Sequence, residues 1–314
     1  MIYFTFDPRP DLKEDLLQSL PQETFVFDTT ISEGKLAEAE IVVTYGEDLN
    51  DSHMSKMPNV KWIFVTSAGI EKMPLQHLQK TDILVSNVRG IHKVPMAESV
   101  MAHILGQYRS LPTIYIEEQQ HQWNRKMKSR ELRDSTAVIL GPGAIGGEIG
   151  RLLQAFGVKT IGCNRSGKQA DYMDQMTTFD DLIHVLPAAD LVISVLPSTD
   201  ETKYLLTSEH FKMMKNDAMF LNFGRGSLVE TSVLVEALQN NEIGFAVCDV
   251  FEEEPLPKDS PLWDLKNMTV SPHVSSHSTR YLERSFDIFK RNIGYYRAGE
   301  LDKVENKVDL QAGY

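Results

Sequence analysis

Cysteine is scarce in this chain of 314 residues, positive charge is in deficit, and long apolar runs are missing. The two cysteines, Cys163 and Cys248, sit singly inside apolar runs with no Cys-x-x-Cys pair. That excludes a disulfide framework, argues against zinc or thiol redox work, and leaves buried thiols as the expectation. Lysine and arginine number 32 against 44 acidic residues, a net charge of −12. A general nucleic-acid binder needs a cationic surface, so that class is excluded. No stretch of about 18 apolar residues offers a membrane span, and Met1 to Pro8 carry no basic leader followed by an apolar segment. A cytoplasmic protein is expected, with neither nucleic acid nor membrane as partner. Repeats and low-complexity stretches are absent as well, which sets aside solenoids and disordered tails.

What is present reads as an ordinary globular protein: 42% hydrophobic, 24% charged and 9% aromatic residues. The length predicts two domains. The 13 methionines are scattered and read as core filler. Short β-rich runs at residues 2–6, 24–27, 40–44, 60–66 and 83–86 alternate with amphipathic stretches, a βα pattern. From about Pro95 the pattern becomes helical through Pro112 and on to Arg133, interrupted by that proline. A second βα series follows, with strands at residues 137–140, 158–162, 191–196, 219–223, 244–250 and 268–271, six being enough for a full dinucleotide fold. Residues 279–298 read as one helix that returns to the first domain. The expected fold class is therefore α/β: two Rossmann-like or flavodoxin-like doubly wound parallel-sheet domains with a cleft between them. Residues 1–97 plus 285–314 form the substrate domain and residues 98–284 the dinucleotide domain. Five cations, Arg125, Lys126, Lys128, Arg130 and Arg133, precede the second series. They read as a solvated helix face, or else as a subunit contact or part of an anion-attracting cleft.

The segment Val138-Ile139-Leu140-Gly141-Pro142-Gly143-Ala144-Ile145-Gly146 puts Gly-x-Gly-x-x-Gly between an apolar strand and a helix. Gly141 permits the tight turn, Gly143 lets a pyrophosphate approach the backbone, and Gly146 lets helix and strand pack closely. The helix start at Ala144 and Ile145 offers unpaired N–H groups to the anion. A carboxylate that would hold the ribose hydroxyls of NAD is missing about 20 residues on, where Asn164-Arg165-Ser166-Gly167-Lys168 stands instead. Asn164 does not repel a 2′-phosphate, and Arg165 and Ser166 can bond it, with Lys168 in reach. NADP(H) is the expected cofactor, NAD(H) the second.

Three further segments each follow a predicted strand: Asn222-Phe223-Gly224-Arg225-Gly226, Asp249-Val250-Phe251-Glu252-Glu253-Glu254-Pro255, and Ser271-Pro272-His273-Val274. Strand C-terminal ends face the ligand crevice of an open α/β sheet. Arg225 there can bind a carboxylate and the neighbouring carbonyl oxygen, His273 can give or take the hydroxyl proton, and Glu254 can orient the imidazole. Singly, each would read as a surface residue; beside a cofactor motif they read as a catalytic set. No metal site is expected.

On these motifs the chain resembles the D-isomer-specific 2-hydroxyacid dehydrogenase family, especially its glyoxylate/hydroxypyruvate reductase branch, over essentially its whole length. The resemblance implies an Arg, Glu and His triad at Arg225, Glu254 and His273, the first two 29 positions apart and the last two 19. It also implies a substrate-carboxylate loop at Thr66-Ser67-Ala68-Gly69-Ile70-Glu71, with Ser67, Ala68 and Gly69 supplying contacts. Leu196, Pro197, Thr202, Phe223, Asp249 and Ser275 complete the implied cofactor set, Asp249 against the nicotinamide carboxamide. Phe223 is bulkier than the small residues common before the Arg, and Ser275-Ser276 replaces an Ala-Gly type of pair, which leaves substrate size open. The activity implied is reduction of a small 2-oxoacid to the D-2-hydroxyacid, in a homodimer formed through residues 96–133. Alternatives are a 3-phosphoglycerate dehydrogenase-like oxidoreductase, a formate or phosphite dehydrogenase, and a dinucleotide-sensing corepressor-like scaffold.

Overall fold

A computed structural model describes residues 1–70 and 72–310. It divides into two compact units, one of Met1–Ile91 with the segment from Ser278 on, the other of His92–His277. The sequence had drawn these borders at 97/98 and 284/285. The chain leaves the first unit earlier because the helix of Lys93–Tyr108 belongs wholly to the second, burying Ala97, Val100, Met101 and Ile104 in that unit's core.

In the first unit β1 (Ile2–Phe4), α1 (Pro10–Ser19), β2 (Phe25–Phe27), α2 (Glu33–Glu38), β3 (Ile41–Thr44), α3 (Asp51–Met54), β4 (Trp62–Val65), α4 (Leu75–Leu78) and β5 (Leu84–Asn87) alternate. The five strands lie parallel in the order β2-β1-β3-β4-β5, the flavodoxin-like winding. Strand residues alternate between faces. Ile2, Phe4, Trp62 and Phe64 pack with Leu12 and Leu16 of α1 and with Phe286 and Phe289 of the C-terminal helix (Tyr281–Arg297). Tyr3, Val42 and Ile63 turn to the opposite face, among Leu36, Met54 and Leu78. The C-terminal helix thus joins the unit built by the start of the chain, as its pattern predicts.

The second unit opens with α5 (Lys93–Tyr108) and α6 (Leu111–Gln119), then β6 (Thr136–Leu140), α7 (Ala144–Ala155), β7 (Lys159–Cys163), β8 (Gln175–Thr177), α8 (Leu182–Val185), β9 (Leu191–Ser194), α9 (Ser208–Met213), β10 (Met219–Asn222), α10 (Thr231–Gln239), β11 (Phe245–Cys248) and β12 (Met268–Val270). The Tyr281–Arg297 helix of the first unit is α11. Seven parallel strands run in the order β12-β11-β10-β9-β6-β7-β8. The order reverses between β6 and β9, the switch point at which such sheets bind ligands. Ala137 and Ile139 face α5 and α7, while Val138 and Leu140 face Leu182, Phe211 and Leu234.

Two expectations are corrected. The seventh strand, β8, has no apolar run: it is a three-residue edge, Gln-Met-Thr, held by pairing with β7 rather than by burial. The helical stretch does not continue to Arg133. Ser110, at φ 59°, breaks the helix just before Pro112, and α6 stops at Gln119, followed by His121 at φ 55°. The five cations therefore lie on irregular chain and not along a helix face. Arg130 is tied down there, 3.3 Å from Asp217 and with its guanidinium over the Tyr108 ring.

Candidate active site

At the switch point β6 runs into Gly141, whose φ of +91° suits glycine and whose N–H donates to Cys163 O at 3.0 Å. A Cβ on Gly146 would lie 2.3 Å from Gly141 O, so the helix meets the turn only with glycine there. Gly143 is exposed, and a Cβ on it would meet nothing within 4 Å. Helix α7 begins at Ala144 with no acidic residue in its first turn. Its first amides, of Ala144, Ile145 and Gly146, have no intrahelical acceptor and carry the positive end of the helix dipole. An open, donor-rich cradle of this kind fits a dinucleotide pyrophosphate.

Beyond β7, the Asn164 side chain closes its own loop: Nδ2 donates to Lys168 O (2.9 Å) and Oδ1 accepts Ser166 N–H (3.1 Å). Arg165 projects into solvent and is met by Glu201, 3.3 Å away. Beyond β9, Leu196 is buried and Pro197 exposed. The buried Thr202 hydroxyl donates to Pro197 O at 2.7 Å and accepts Thr199 N–H at 2.8 Å, so it shapes the loop after β9.

The three expected catalytic residues fall at the ends of β10, β11 and β12. Asn222 Oδ1 accepts Gly224 N–H and its Nδ2 donates to Arg225 O, a clamp that fixes the turn presenting Arg225. The exposed Arg225 guanidinium donates to Gly224 O at 2.8 Å. A Cβ on Gly226 would fall 1.9 Å from Phe251 C, so glycine lets the Arg225 turn sit directly against the loop that carries Glu254. Glu254 Oε1 accepts Phe251 N–H (3.0 Å), and Oε2 lies 2.7 Å from His273 Nδ1. With a carboxylate as acceptor, Nδ1 holds the hydrogen and Nε2 is the nitrogen left for chemistry. His273 stands at φ +55°, a backbone region that non-glycine residues seldom occupy and that clusters at functional sites.

Beside this pair, Asp249 is buried and accepts from Ser271 Oγ, from Val274 N–H at 3.0 Å and from Ser275 N–H at 3.1 Å. Burial raises its pKa, but these donors together hold the carboxyl below its ordinary range. Ser275 is buried in the same turn, its carbonyl accepting from Ser99 Oγ. Phe223 is buried against α5, its ring 5.9 Å from that of His103, so its bulk fills core. Burial lowers the pKa of His103, partly countered by the charge of Asp249. Cys163 and Cys248 lie buried in β7 and β11, and burial pushes both thiols up to about 12.

In the first unit Ser67, Ala68 and Gly69 form the turn after β4. Its carbonyls are taken up internally: Thr66 O by Tyr281 OH (2.6 Å), Ala68 O by Asn87 Nδ2 (2.8 Å) and Gly69 O by Ser67 Oγ (2.5 Å). Glu71, which closes the motif, lies outside the described residues. Sequence reading missed the supporting residues Asn222, Ser271, Asn87 and Tyr281. Asn222 and Ser271 had a signal, their places three residues ahead of Arg225 and two ahead of His273. Among the described residues no group of three or more His, Cys, Asp or Glu is arranged to hold a metal ion, and no helix is long and apolar enough to cross a membrane.

Residues 101–275 match the family model described as D-isomer specific 2-hydroxyacid dehydrogenase, NAD binding domain. The glyoxylate/hydroxypyruvate reductase B of Klebsiella pneumoniae is 31% identical over 286 residues, 86% of this chain and 88% of that protein. A solved D-isomer specific 2-hydroxyacid dehydrogenase family protein from Aeromonas salmonicida superposes with a TM-score of 0.83 at 32% identity, covering 98% of both chains. The NADPH-dependent glyoxylate/hydroxypyruvate reductase of Sinorhizobium meliloti, solved with NADP and sulfate, gives 0.78 at 26% identity over 100% of this chain and 99% of that one. With its glycine turn at the switch point of a parallel sheet and an Arg, a Glu and a His on adjoining strand ends, the chain belongs to the D-isomer specific 2-hydroxyacid dehydrogenase family.

Proposed function

We propose that this protein reduces a small 2-oxoacid of the glyoxylate or hydroxypyruvate kind to the D-2-hydroxyacid, with NADPH preferred over NADH. The 2.7 Å pairing of His273 with Glu254, on a loop packed against the Arg225 turn, carries the reading. The dinucleotide, when bound along Gly141, Gly143, Ala144, Ile145 and Gly146, supplies the hydride to the substrate carbonyl carbon. Arg225 pairs with the substrate carboxylate and stabilises the charge that develops on the carbonyl oxygen. Starting as the imidazolium, with a hydrogen on each ring nitrogen, His273 gives that oxygen the Nε2 proton and is left neutral with its Nδ1–H held by Glu254, which fixes the ring. The amides of Ala68 and Gly69 hold the carboxylate as well, in a turn whose carbonyls are already engaged.

The NADP preference rests on Arg165, Ser166 and Lys168 after β7, where residues 164–168 include no carboxylate to repel a 2′-phosphate and the Glu201 carboxylate is paired with Arg165. A homodimer is proposed through α6 and the chain beyond it, where Ile114, Tyr115, Ile116 and Trp123 are exposed. A cytoplasmic location suits two free, buried thiols. The test follows oxidation of NADPH and NADH with glyoxylate, hydroxypyruvate, pyruvate and bulkier 2-oxoacids. Turnover of a small 2-oxoacid that falls by about 100-fold or more in His273→Ala and Arg225→Ala is expected. Unchanged turnover of every 2-oxoacid in those variants would sink the proposal.

A further inference from the structure

The 2.7 Å contact between His273 and Glu254 requires both residues to be held, and each is held differently. Glu254 is fixed by its own loop, through Phe251 N–H. His273 stands at φ +55° in a turn exposed on its outer side, with no neighbouring glycine to ease that conformation. Its two flanks converge instead on a single carboxylate. Asp249 Oδ1 receives Ser271 Oγ, two residues before His273, and Val274 N–H, one residue after it. Oδ2 receives Ser275 N–H, two residues after. Asp249 is only 1% exposed, at the end of β11, and so is itself fixed by the sheet.

We infer that Asp249 is the positioning residue of the proton donor: it pins the 271–275 turn on both sides of His273 and thereby sets the imidazole against Glu254. The inference rests on the reading of His273 as proton donor. Three donors on two oxygens need a carboxylate. An asparagine of the same shape has one acceptor oxygen, and its amide N–H groups would face a backbone N–H. Serine at 271 matters for its hydroxyl alone, which threonine also carries.

Asp249→Asn, Ser271→Ala and Ser271→Thr in the full chain test this with two readouts. Amide hydrogen exchange, read without substrate or cofactor, reports the turn: the Val274 and Ser275 amides should exchange at least about tenfold faster in Asp249→Asn. Steady-state kinetics with a 2-oxoacid reports the consequence: kcat should fall by about tenfold or more in Asp249→Asn, as expected when a reacting group is misplaced, while in Ser271→Ala, a change outside the implied cofactor set, NADPH affinity measured by calorimetry stays within about threefold. Ser271→Ala should show a smaller loss in kcat and Ser271→Thr should restore it, which keeps the test open if the asparagine variant folds poorly. Unchanged exchange at both amides overturns the inference. So does faster exchange with unaltered kcat, or a loss of activity in Ser271→Ala matched by an equal loss of NADPH affinity, which would make this hydrogen bond a support of the cofactor rather than of His273. Since exchange needs no turnover, a wild-type chain inactive on every 2-oxoacid would count against the reductase reading and leave the anchor to be decided by the amides.

Discussion

On the proposed NADPH reading, Arg165 exchanges its contact with Glu201 for the 2′-phosphate, and the two anions compete for one guanidinium. The pair is exposed, with N to O distances of 3.3 and 3.4 Å, so its own contribution to stability is small. A charge-assisted bond to phosphate is worth about 1.5 to 3 kcal/mol before screening. Arg165→Ala should therefore raise the KM for NADPH about tenfold and leave that for NADH nearly unchanged, whereas Glu201→Gln should lower the KM for NADPH a few-fold; steady-state titration of both cofactors checks each. The cysteines give a second expectation at this scale. With both thiols raised to about 12 against an ordinary value of 9.0, the folded protein keeps them neutral at pH 8. A disulfide thiol reagent should find no reactive cysteine in the native protein and two after unfolding. As pH climbs past 9.0 the unfolded chain ionises first, so stability falls. Arg225, Glu254 and His273 were legible as candidates because each stands in a run with distinctive neighbours. The partners of Ser271 and Glu201 were not, since a serine that serves a carboxylate 22 positions away, or a glutamate that meets an arginine 36 away, leaves no local trace of that contact.

Among the elements, buried strands were legible and polar ones were not. β6, β9 and β10 are buried at nearly every position and announce themselves as apolar runs. β8 has one buried residue in three and exists because β7 offers it an edge. The stretch after Gln119 misled for the opposite reason: its charged residues suit a helix surface, but it has no apolar stripe to bury. In α11 the stripe is strong, and Phe289 is its centre, stacked on Trp62 at 5.5 Å and close to Phe4 and Phe64. Phe289→Ala should cost about 3 to 5 kcal/mol. Denaturant unfolding that distinguishes the two units should place that loss in the first.

For the whole molecule, doubly wound sheets were readable from the βα alternation, while assembly rests on surface that sequence does not mark. Helix α6 buries none of its residues, and Trp123 beyond it is 92% exposed, beside a concavity of about 650 Å³ that Tyr115 and Trp123 help line. If this face joins two copies, light scattering should give about 71 kDa, twice the 35.6 kDa chain, and the double variant Tyr115→Glu, Trp123→Glu should shift the mass toward the monomer. The order of the chain has its own result. The second unit is one continuous segment, His92–His277, but the first is made from both ends of the sequence. During synthesis, at about 5 to 20 residues per second, roughly 10 to 40 s separate Ile91 from Ser278. For that interval Phe4, Trp62 and Phe64 wait without Phe286 and Phe289, and Ser86 without its bridge to Lys307. The sheet translated first is the last to be covered, and a released chain cut short of α11 would carry every strand of the dinucleotide unit while its first unit kept an open apolar face that chaperones recognise.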